Sequence, residues 1–296
     1  MDKTILCVGN CVLDRVFEVE RIPRAAEKVL SLASRESGGG PATTAAVAIA
    51  RLGGNAAFAG ILGDDPTGLM LRDTLMACGV DTRFLVLSPQ VRTPTPVVLV
   101  DPSGERCIVV QRKKPVDYRF PPDEISSFSL VLADTRWPEG SETVLALARE
   151  AGVPAILDAD GGDPEMLSRL AGLCDQIIFS EQGLNDLVGG GDVPSQLRRA
   201  AAYCTGIVAV TVGVEGSFWL VDGAVTHVTA FPVRALDTTG CGDVFHGAYA
   251  LALAEGERPL EAARFASAAA AEKAARGRGW EGMPDRVSVE RRVCGG

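Results

Sequence analysis

The sequence predicts an α/β fold with a mostly parallel central sheet and helices on both of its faces. Short apolar runs alternate with alanine-rich segments of helical periodicity along most of the 296-residue chain. Six apolar runs are typical of strands buried on both faces, at residues 5–8, 57–61, 130–133, 155–157, 176–179 and 207–212. Eight segments are predicted to be helices, at residues 43–52, 67–78, 142–151, 164–171, 182–188, 194–203, 243–254 and 260–275. Strands that alternate with helices form parallel sheets, and ligands bind at the carboxyl ends of their strands.

Two stretches interrupt this alternation, near residues 12–34 and 95–111. Each contains two short apolar runs on either side of a turn, Ile22-Pro23-Arg24 in the first and Asp101-Pro102-Ser103-Gly104 in the second. This pattern is typical of antiparallel hairpins. We therefore predict a single domain over residues 1–296 that includes these two hairpins.

Composition excludes several classes of protein. The net charge of −9 argues against binding to nucleic acid, which needs a basic surface. No apolar run of about 18 residues occurs, so no membrane span is predicted. The amino terminus lacks the features of an export signal, and none of the eight cysteines forms a C-x-x-C pair. We expect a cytoplasmic protein with reduced thiols and no zinc site.

The most informative segment is Asp237-Thr238-Thr239-Gly240-Cys241-Gly242-Asp243, which is followed by a helix of small residues. The amides at a helix start have no partner inside the helix and carry the positive end of its dipole. Gly240 and Gly242 let an anion approach those amides closely. Asp243 lies beside this predicted anion site, where it can accept a proton from a hydroxyl that attacks a phosphate. Its alternative role is to complement the helix dipole.

The same segment resembles the C-terminal signature of the ribokinase-like (PfkB) carbohydrate kinases. Three further segments resemble that family's motifs in the family's order: Ser37-Gly38-Gly39-Gly40-Pro41-Ala42, Gly63-Asp64-Asp65-Pro66-Thr67-Gly68 and Thr211-Val212-Gly213-Val214-Glu215-Gly216. The resemblance covers nearly the whole chain. It implies a ribokinase-like fold, ATP and Mg²⁺ as cofactors, and a small sugar as substrate. It also implies that the two hairpins form a small β-sheet that acts as a lid over the sugar, and we expect a homodimer through that lid.

The resemblance assigns roles to particular residues. Asp243 would be the catalytic base, and the amides of Gly240, Cys241 and Gly242 would hold the γ-phosphoryl oxygens. The carboxylate of Asp14 would accept hydrogen bonds from two sugar hydroxyls. The remaining implied contacts are to the sugar from Gly39, Gly40 and Thr44, and to the nucleotide from Thr211, Gly213, Gly216 and Gly242. The alternatives are an ordinary strand–turn–helix at 240–242, a solvated acid at 14 and a hairpin turn at 211–216.

Three positions depart from the family's usual pattern. Thr44 stands where the family normally has an asparagine, and Cys241 stands where it usually has an alanine. The thiol of Cys241 lies at a helix start, which predicts a lowered pKa and a reactive group. The family's N-x-x-E motif is replaced by Ser180-Glu181-Gln182-Gly183. Any contact with magnesium would come through water from Asp237 or Glu181.

The sequence also suggests a substrate. Lys28 lies beside the first hairpin, Arg136 follows a predicted strand end, and the basic run Arg112-Lys113-Lys114 follows the second hairpin. Cations near the site of an acidic protein favour an anionic sugar. Four segments resemble the sulfofructose kinase subgroup, whose members phosphorylate C1 of 6-deoxy-6-sulfofructose. They are Gly38-Gly39-Gly40-Pro41-Ala42 with Thr44, Leu132-Ala133-Asp134 with Arg136-Trp137, Phe179-Ser180-Glu181 with Gly183, and Val244-Phe245-His246-Gly247-Ala248. The alternatives are a neutral ketose or pentose, a nucleoside, or a non-catalytic regulator that only binds sugar or nucleotide.

Overall fold

The computed structural model describes residues 3–24, 26–103, 105–111 and 116–295. Its strands, in chain order, are β1 Thr4–Val8, β2 Val12–Val19, β3 Ser31–Gly39, β4 Asn55–Gly63, β5 Val80–Ser88, β6 Val97–Val100, β7 Arg106–Val109, β8 Leu130–Asp134, β9 Ala155–Ala159, β10 Gln176–Ser180, β11 Ile207–Thr211, β12 Ser217–Val221 and β13 Ala224–Val228. Its helices are α1 Pro41–Arg51, α2 Pro66–Ala77, α3 Pro138–Ala151, α4 Pro164–Ala171, α5 Glu181–Val188, α6 Val193–Ala200, α7 Cys241–Glu255, α8 Pro259–Arg276 and α9 Arg286–Gly295.

The large sheet has the strand order β13-β12-β11-β10-β9-β8-β1-β4-β5. The strands from β11 to β5 in this order are mutually parallel, whereas β12 and β13 form an antiparallel extension at one edge. The predicted mostly parallel sheet is therefore confirmed. The sequence analysis missed β5, β12 and β13, because partly exposed strands carry mixed polar and apolar residues instead of a continuous apolar run.

The small sheet, defined here as β3-β2-β6-β7, stands apart from the large one. Strands β2 and β3 pair antiparallel, as do β6 and β7, and a parallel pairing of β2 with β6 joins the two hairpins. The first hairpin is longer than predicted, because β3 continues to Gly39 and so carries the glycine motif. The basic run at 112–114 lies outside the described residues.

The core fills both faces of the large sheet. In β1, Ile5 and Cys7 pack into one apolar layer, while Leu6 and Val8 pack into the other. On one face, α1 and α7 approach so closely that a Cβ at Gly247 would lie 2.5 Å from the carbonyl oxygen of Ala45. This contact requires glycine, and it brings α1 and α7 into direct contact. No helix within the described ranges is long and apolar enough to cross a membrane.

The helices start in two different ways. Asp65, Asp163 and Asp192 cap α2, α4 and α6 by accepting hydrogen bonds from backbone amides of the first turn. By contrast, α1 and α7 begin after glycines with positive φ, 101° at Gly40 and 76° at Gly240, and neither has a side-chain cap. A helix start without a cap leaves amides available to a ligand or to another part of the chain.

Candidate active site

The turn before α7, formed by residues 237–242 and named the anion turn, has the geometry of an anion site. Gly240 adopts a left-handed conformation, and the Cys241 amide closes the turn on the carbonyl of Thr238 at 3.2 Å. A Cβ at Gly242 would meet no described atom within 4 Å, so the space in front of this residue is open. The Cys241 amide is thus already used, and no side chain caps the next two amides of the first turn, those of Gly242 and Asp243. They can therefore bind the oxygens of a phosphoryl group.

Asp243 lies in the first turn of α7, partly buried at this site. Burial, and after it the neighbouring carboxylate of Asp158, raise the pKa of its carboxyl to about 7. Gly240 is adjacent, since a Cβ there would lie 3.8 Å from an Asp243 carboxylate oxygen. A carboxylate with a pKa near neutrality is well matched to accept a proton at physiological pH.

Behind Asp243 lies a buried network that includes His246, which follows Asp243 by three positions on the helix, and Asp158. The Nδ1 atom of His246 is 2.8 Å from the carbonyl oxygen of Gly242 and 3.3 Å from a carboxylate oxygen of Asp158. Burial lowers the pKa of His246, which favours the neutral ring. Burial and the carboxylates of Asp160 and Asp134 raise the pKa of Asp158 well above its usual range. The carboxylates of this network therefore disfavour a negative charge on Asp243, whereas His246 favours it.

Asp134, at the end of β8, connects β1 to α1. One carboxylate oxygen accepts hydrogen bonds from the amides of Asn10 at 3.0 Å and Ala42 at 3.1 Å. Gly9 must be glycine, because a Cβ there would overlap the Asp134 carboxylate at 2.1 Å. Asp134 thus satisfies an amide at the start of α1 and positions the segment that precedes Asp14.

The predicted sugar-binding residues converge at this edge of the sheet. Gly39 lies directly against Asp14, because a Cβ at Gly39 would come within 2.1 Å of the Asp14 carboxylate. A Cβ at Gly40 would lie 2.1 Å from the carbonyl oxygen of Asn10. Burial raises the pKa of Asp14 to about 6. The structure therefore places the partly desolvated carboxylate of Asp14 beside the backbone of Gly39 and Gly40, which carry no side chain.

Thr44 has a different environment from the one predicted. It is buried, and its hydroxyl accepts a hydrogen bond of 3.1 Å from the indole nitrogen of Trp280. The same indole ring covers Gly38, where a Cβ would lie 2.2 Å from the ring. On its other side, the Thr44 methyl group lies 3.4 Å from where a Cβ of Gly240 would be. Thr44 therefore links Trp280, which packs on Gly38 of β3, to the anion turn. The sequence analysis did not identify Trp280 as a site residue.

Asp237 joins the anion turn to the small sheet. It accepts a 3.1 Å hydrogen bond from Arg35 on β3, and Arg106 on β7 approaches to 3.6 Å. Its other bonds are to the amide and hydroxyl of Thr239, at 2.9 and 2.6 Å. Hydrogen bonds from Thr239 and the charge of Arg35 outweigh burial and lower the pKa of Asp237. Both hairpins of the small sheet thus attach to one ionised carboxylate.

The prediction of a reactive thiol at Cys241 is wrong. Burial raises the pKa of Cys241 to about 11, and the carboxylates of Asp237 and Asp243 oppose the lowering effect of Lys273. The helix start alone is not enough to stabilise a thiolate among these carboxylates.

The two cations predicted to recognise an anionic sugar are placed unfavourably for that role. Lys28 is exposed in the connection that follows Val19, at the far end of β2. Asp14 is five residues earlier on that extended strand, a distance of roughly 17 Å from Val19. Arg136 forms an ion pair with Asp160, and its backbone amide donates to Asp134 at 2.8 Å. The structure therefore does not bring Lys28 to the other site residues, and the charge of Arg136 is already balanced.

The predicted nucleotide segment follows β11 at the carboxyl edge of the large sheet. Gly213 and Gly216 both have positive φ, 55° and 103°, and a Cβ at Gly216 would lie 2.1 Å from the carbonyl oxygen of Val228. The hydroxyl of Thr211 donates to the carbonyl of Phe179 at 3.3 Å. Val214 projects from the turn with 96% of its surface exposed. An exposed apolar side chain on a rigid turn suits contact with a flat heterocycle.

No cluster of metal ligands exists within the described residues. Glu181 is exposed at the first position of α5, and Asp237 is engaged by arginines and Thr239. The residues present therefore do not form a resident metal site. They do fit a metal ion that is held mainly by the phosphates of a bound nucleotide, because the exposed carboxylate of Glu181 is available to a water molecule on that ion.

A cleft of about 1280 Å³ separates the small sheet from the turns that carry the site. Its lining includes Arg35 and Ser37 of β3, Thr238 and Thr239 of the anion turn, and Arg278. This volume is ample for a small ligand.

Comparisons with known proteins agree with this geometry. The model of the pfkB family of carbohydrate kinases matches residues 2–285. A fructokinase of Klebsiella pneumoniae is 34% identical over 227 residues, which cover 70% of this chain and 74% of the relative. The ribokinase of Arabidopsis thaliana, solved in complex with ribose and ATP, superimposes with a TM-score of 0.88 at 28% identity and covers 99% of each chain. A candidate ribokinase from Agrobacterium tumefaciens gives a TM-score of 0.94 at 37% identity, over 100% of this chain and 98% of its own. The chain therefore belongs to the pfkB family of carbohydrate kinases and has a ribokinase-like α/β fold.

Proposed function

We propose that this sugar kinase uses ATP and transfers the γ-phosphoryl group to a hydroxyl of a small neutral sugar, with Asp243 as the general base. The single observation that carries the proposal is the position of Asp243, whose pKa is about 7, beside the uncapped turn 240–242. The turn amides hold the transferred phosphoryl group, and Asp243 takes the proton of the attacking hydroxyl. Mg²⁺ bound to the nucleotide neutralises its phosphate charge.

Asp14 orients the sugar in this proposal. Its two oxygens accept hydrogen bonds from neighbouring hydroxyls, and the bare backbone of Gly39 and Gly40 lets the sugar ring approach. The small sheet acts as the lid, with Arg35 and Arg106 holding it against the anion turn. Thr211, Gly213 and Gly216 form the nucleotide side of the site. The arrangement excludes water from the reacting atoms when the lid is in place.

A coupled ADP-release assay over a panel of sugars tests the proposal. We expect turnover that depends on the sugar, and a fall in kcat of about 10²–10⁴-fold in Asp243→Asn with ATP binding unchanged by calorimetry. Asp192→Asn is the matched control, because asparagine caps a helix as well as aspartate does. A parent protein that binds ATP without turning over any sugar would instead be a regulator. Full activity in Asp243→Asn would refute the role of the base.

Sulfofructose is the second candidate substrate. The observation in its favour is that the side chain of Arg136 is 46% exposed at the carboxyl end of β8, although it is paired with Asp160. If Arg136 binds a sulfonate group, Arg136→Ala raises KM for sulfofructose far more than KM for fructose. Equal changes for the two sugars favour the neutral substrate. Asp160→Asn gives a second comparison, because it removes the ion pair that engages Arg136. If Arg136 binds the sulfonate, this variant should lower KM for sulfofructose and leave KM for fructose unchanged.

We also propose that two copies of the chain associate through the small sheet. The strand register places Phe17, Leu99 and Val109 on the face opposite Arg35 and Arg106. Val109 is 63% exposed. An exposed apolar sheet face of this kind favours association. Light scattering after size exclusion should give a dimer for the parent protein and a monomer for Val109→Glu, whereas a monomeric parent would refute the interface.

A further inference from the structure

One buried charge is not used in the proposed mechanism. Lys273, on the last turn of α8, is only 1% exposed. Its ammonium group donates a hydrogen bond of 3.2 Å to the carbonyl oxygen of Gly277. Lysine is almost never fully buried unless a partner compensates its charge. Such a residue therefore needs an explanation from its surroundings.

The part of α8 that carries Lys273 packs against the start of the anion turn. The amides of Leu236 and Asp237 both donate to the carbonyl of Ala274, the residue after Lys273, at 2.8 and 3.3 Å. A Cβ at Gly277 would lie 3.2 Å from the Cβ of Asp237. The end of α8 and the start of the turn are thus in direct contact. Lys273 is anchored to this junction from the buried side.

The charges around Lys273 belong mainly to the turn. Burial lowers the pKa of Lys273, while Cys241, Asp237 and Asp243 raise it in that order. Arg35 is the cation that opposes them. The same ammonium group is the largest lowering influence on the pKa of Cys241. Lys273 is therefore electrostatically coupled to the residues on both sides of Gly240.

We propose that Lys273 is a positioning residue, a built-in cation beneath the turn 237–242 that holds the turn in its anion-binding shape and adds positive charge behind its amides. The proposal rests on the proposed function of that turn in binding the transferred phosphoryl group. A fixed charge in a buried site stabilises negative charge that develops in the transition state, without reorganisation at the moment of reaction. Its effect should appear in kcat more than in KM for the sugar.

The first experiment compares Lys273→Met with Lys273→Arg. Methionine keeps an unbranched apolar side chain and removes the charge, and we expect kcat to fall about tenfold or more with little change in KM for the sugar. Arginine keeps the charge and should restore part of the rate. Glu272→Gln is the control on the same helical turn, since Glu272 pairs with Arg292 at 2.7 Å and should leave kcat unchanged. Equal kcat in Lys273→Met and the parent protein would overturn the proposal.

Chemical rescue separates a missing charge from a damaged fold. Lys273→Ala leaves a space that borders the Gly277 carbonyl and Asp237, and this space should accept an ammonium or methylammonium ion. We expect saturable recovery of kcat by these ions in Lys273→Ala and no effect on the parent protein. A loss that neither ion restores would show that Lys273 is merely structural. If the parent protein itself shows no turnover, the proposed function fails. Binding of ATP, which carries the γ-phosphate, by Lys273→Met and by the parent protein then tests the cation alone, and equal affinities would refute its role.

Discussion

The replacement of Asp243 by asparagine should make the protein more stable while it lowers kcat. Burial and Asp158 raise the pKa of Asp243 from 3.8 to about 7, so the ionised carboxylate is disfavoured in the folded state. Each pKa unit corresponds to about 1.4 kcal/mol, and the full difference of about 3 corresponds to an upper limit of about 4 kcal/mol. Because Asp243 is only partly buried by area and shares its charge with neighbours, we expect a gain of about 2 kcal/mol.

The gain should depend on pH in one direction. Below the unfolded pKa, near 4, Asp243 is protonated in both states, and the neutral asparagine brings no advantage. Between about pH 4 and 7 the folded state holds the proton that the unfolded state has released, so the parent protein loses stability as the pH rises. Above about pH 7 the loss is complete. The difference in unfolding free energy between Asp243→Asn and the parent should therefore appear over this window and then stay constant.

Urea denaturation at pH 5, 6, 7 and 8 measures this difference, with the slope m checked for constancy. Asp192→Asn is the matched control, because the carboxylate of Asp192 is exposed and its pKa is lowered instead of raised by its hydrogen bonds with Ser195. It should show no gain at pH 8. An Asp243→Asn variant that is no more stable than the parent at pH 8 would refute the claim that the carboxylate is held in a desolvated site.

Three further predictions concern the same site. The kcat of the parent protein should rise with pH through about 7 as Asp243 loses its proton. Asp158→Asn should move the midpoint of that rise to lower pH, because a neighbouring carboxylate is removed. A kcat that does not change with pH would contradict both. Arg35→Ala should raise KM for the sugar by up to about fivefold, since its partly exposed ion pair with the turn is worth at most about 1 kcal/mol, and an unchanged KM would show that the pair does not hold the lid. Gly38→Ala should lower the unfolding free energy by about 1–3 kcal/mol because the new methyl group collides with Trp280, and undiminished stability in urea would disprove that contact.

The fold was predictable where its signals are local. The run at 130–133 is continuously apolar, and the run at 176–179 is apolar after Gln176; strands of that kind are buried on both faces of a parallel sheet. Strand β3 was placed too early, because its sequence Ser31–Gly39 is largely polar and exposed. Its limits depend on pairing with β2, which is not visible in its own composition.

The site was predictable only in part. The turn before Asp243 was recognisable because two glycines at a helix start have few other uses. Trp280 and Asp158 were missed, since each acts through partners that are distant in sequence: Trp280 binds Thr44, 236 residues away, and Asp158 contacts His246. A Trp after Gly-Arg-Gly and an aspartate at a strand end were visible signals, but neither carries chemistry alone. Asp237 was considered for magnesium, and its attachment to Arg35 became clear only in the structure.

The amino-acid sequence by itself determined the layered α/β architecture, the glycine turn before α7 and the acid in the first turn of that helix, because hydrophobic periodicity and glycine conformations act over a few neighbouring residues. Only the tertiary structure decided the raised pKa values of that acid and of the Cys241 thiol. It also decided the ion pair of Arg136 with Asp160 and the burial of Lys273. Each of these depends on desolvation and on charges supplied by distant segments, and electrostatic energies in a folded protein are set by which groups meet in space.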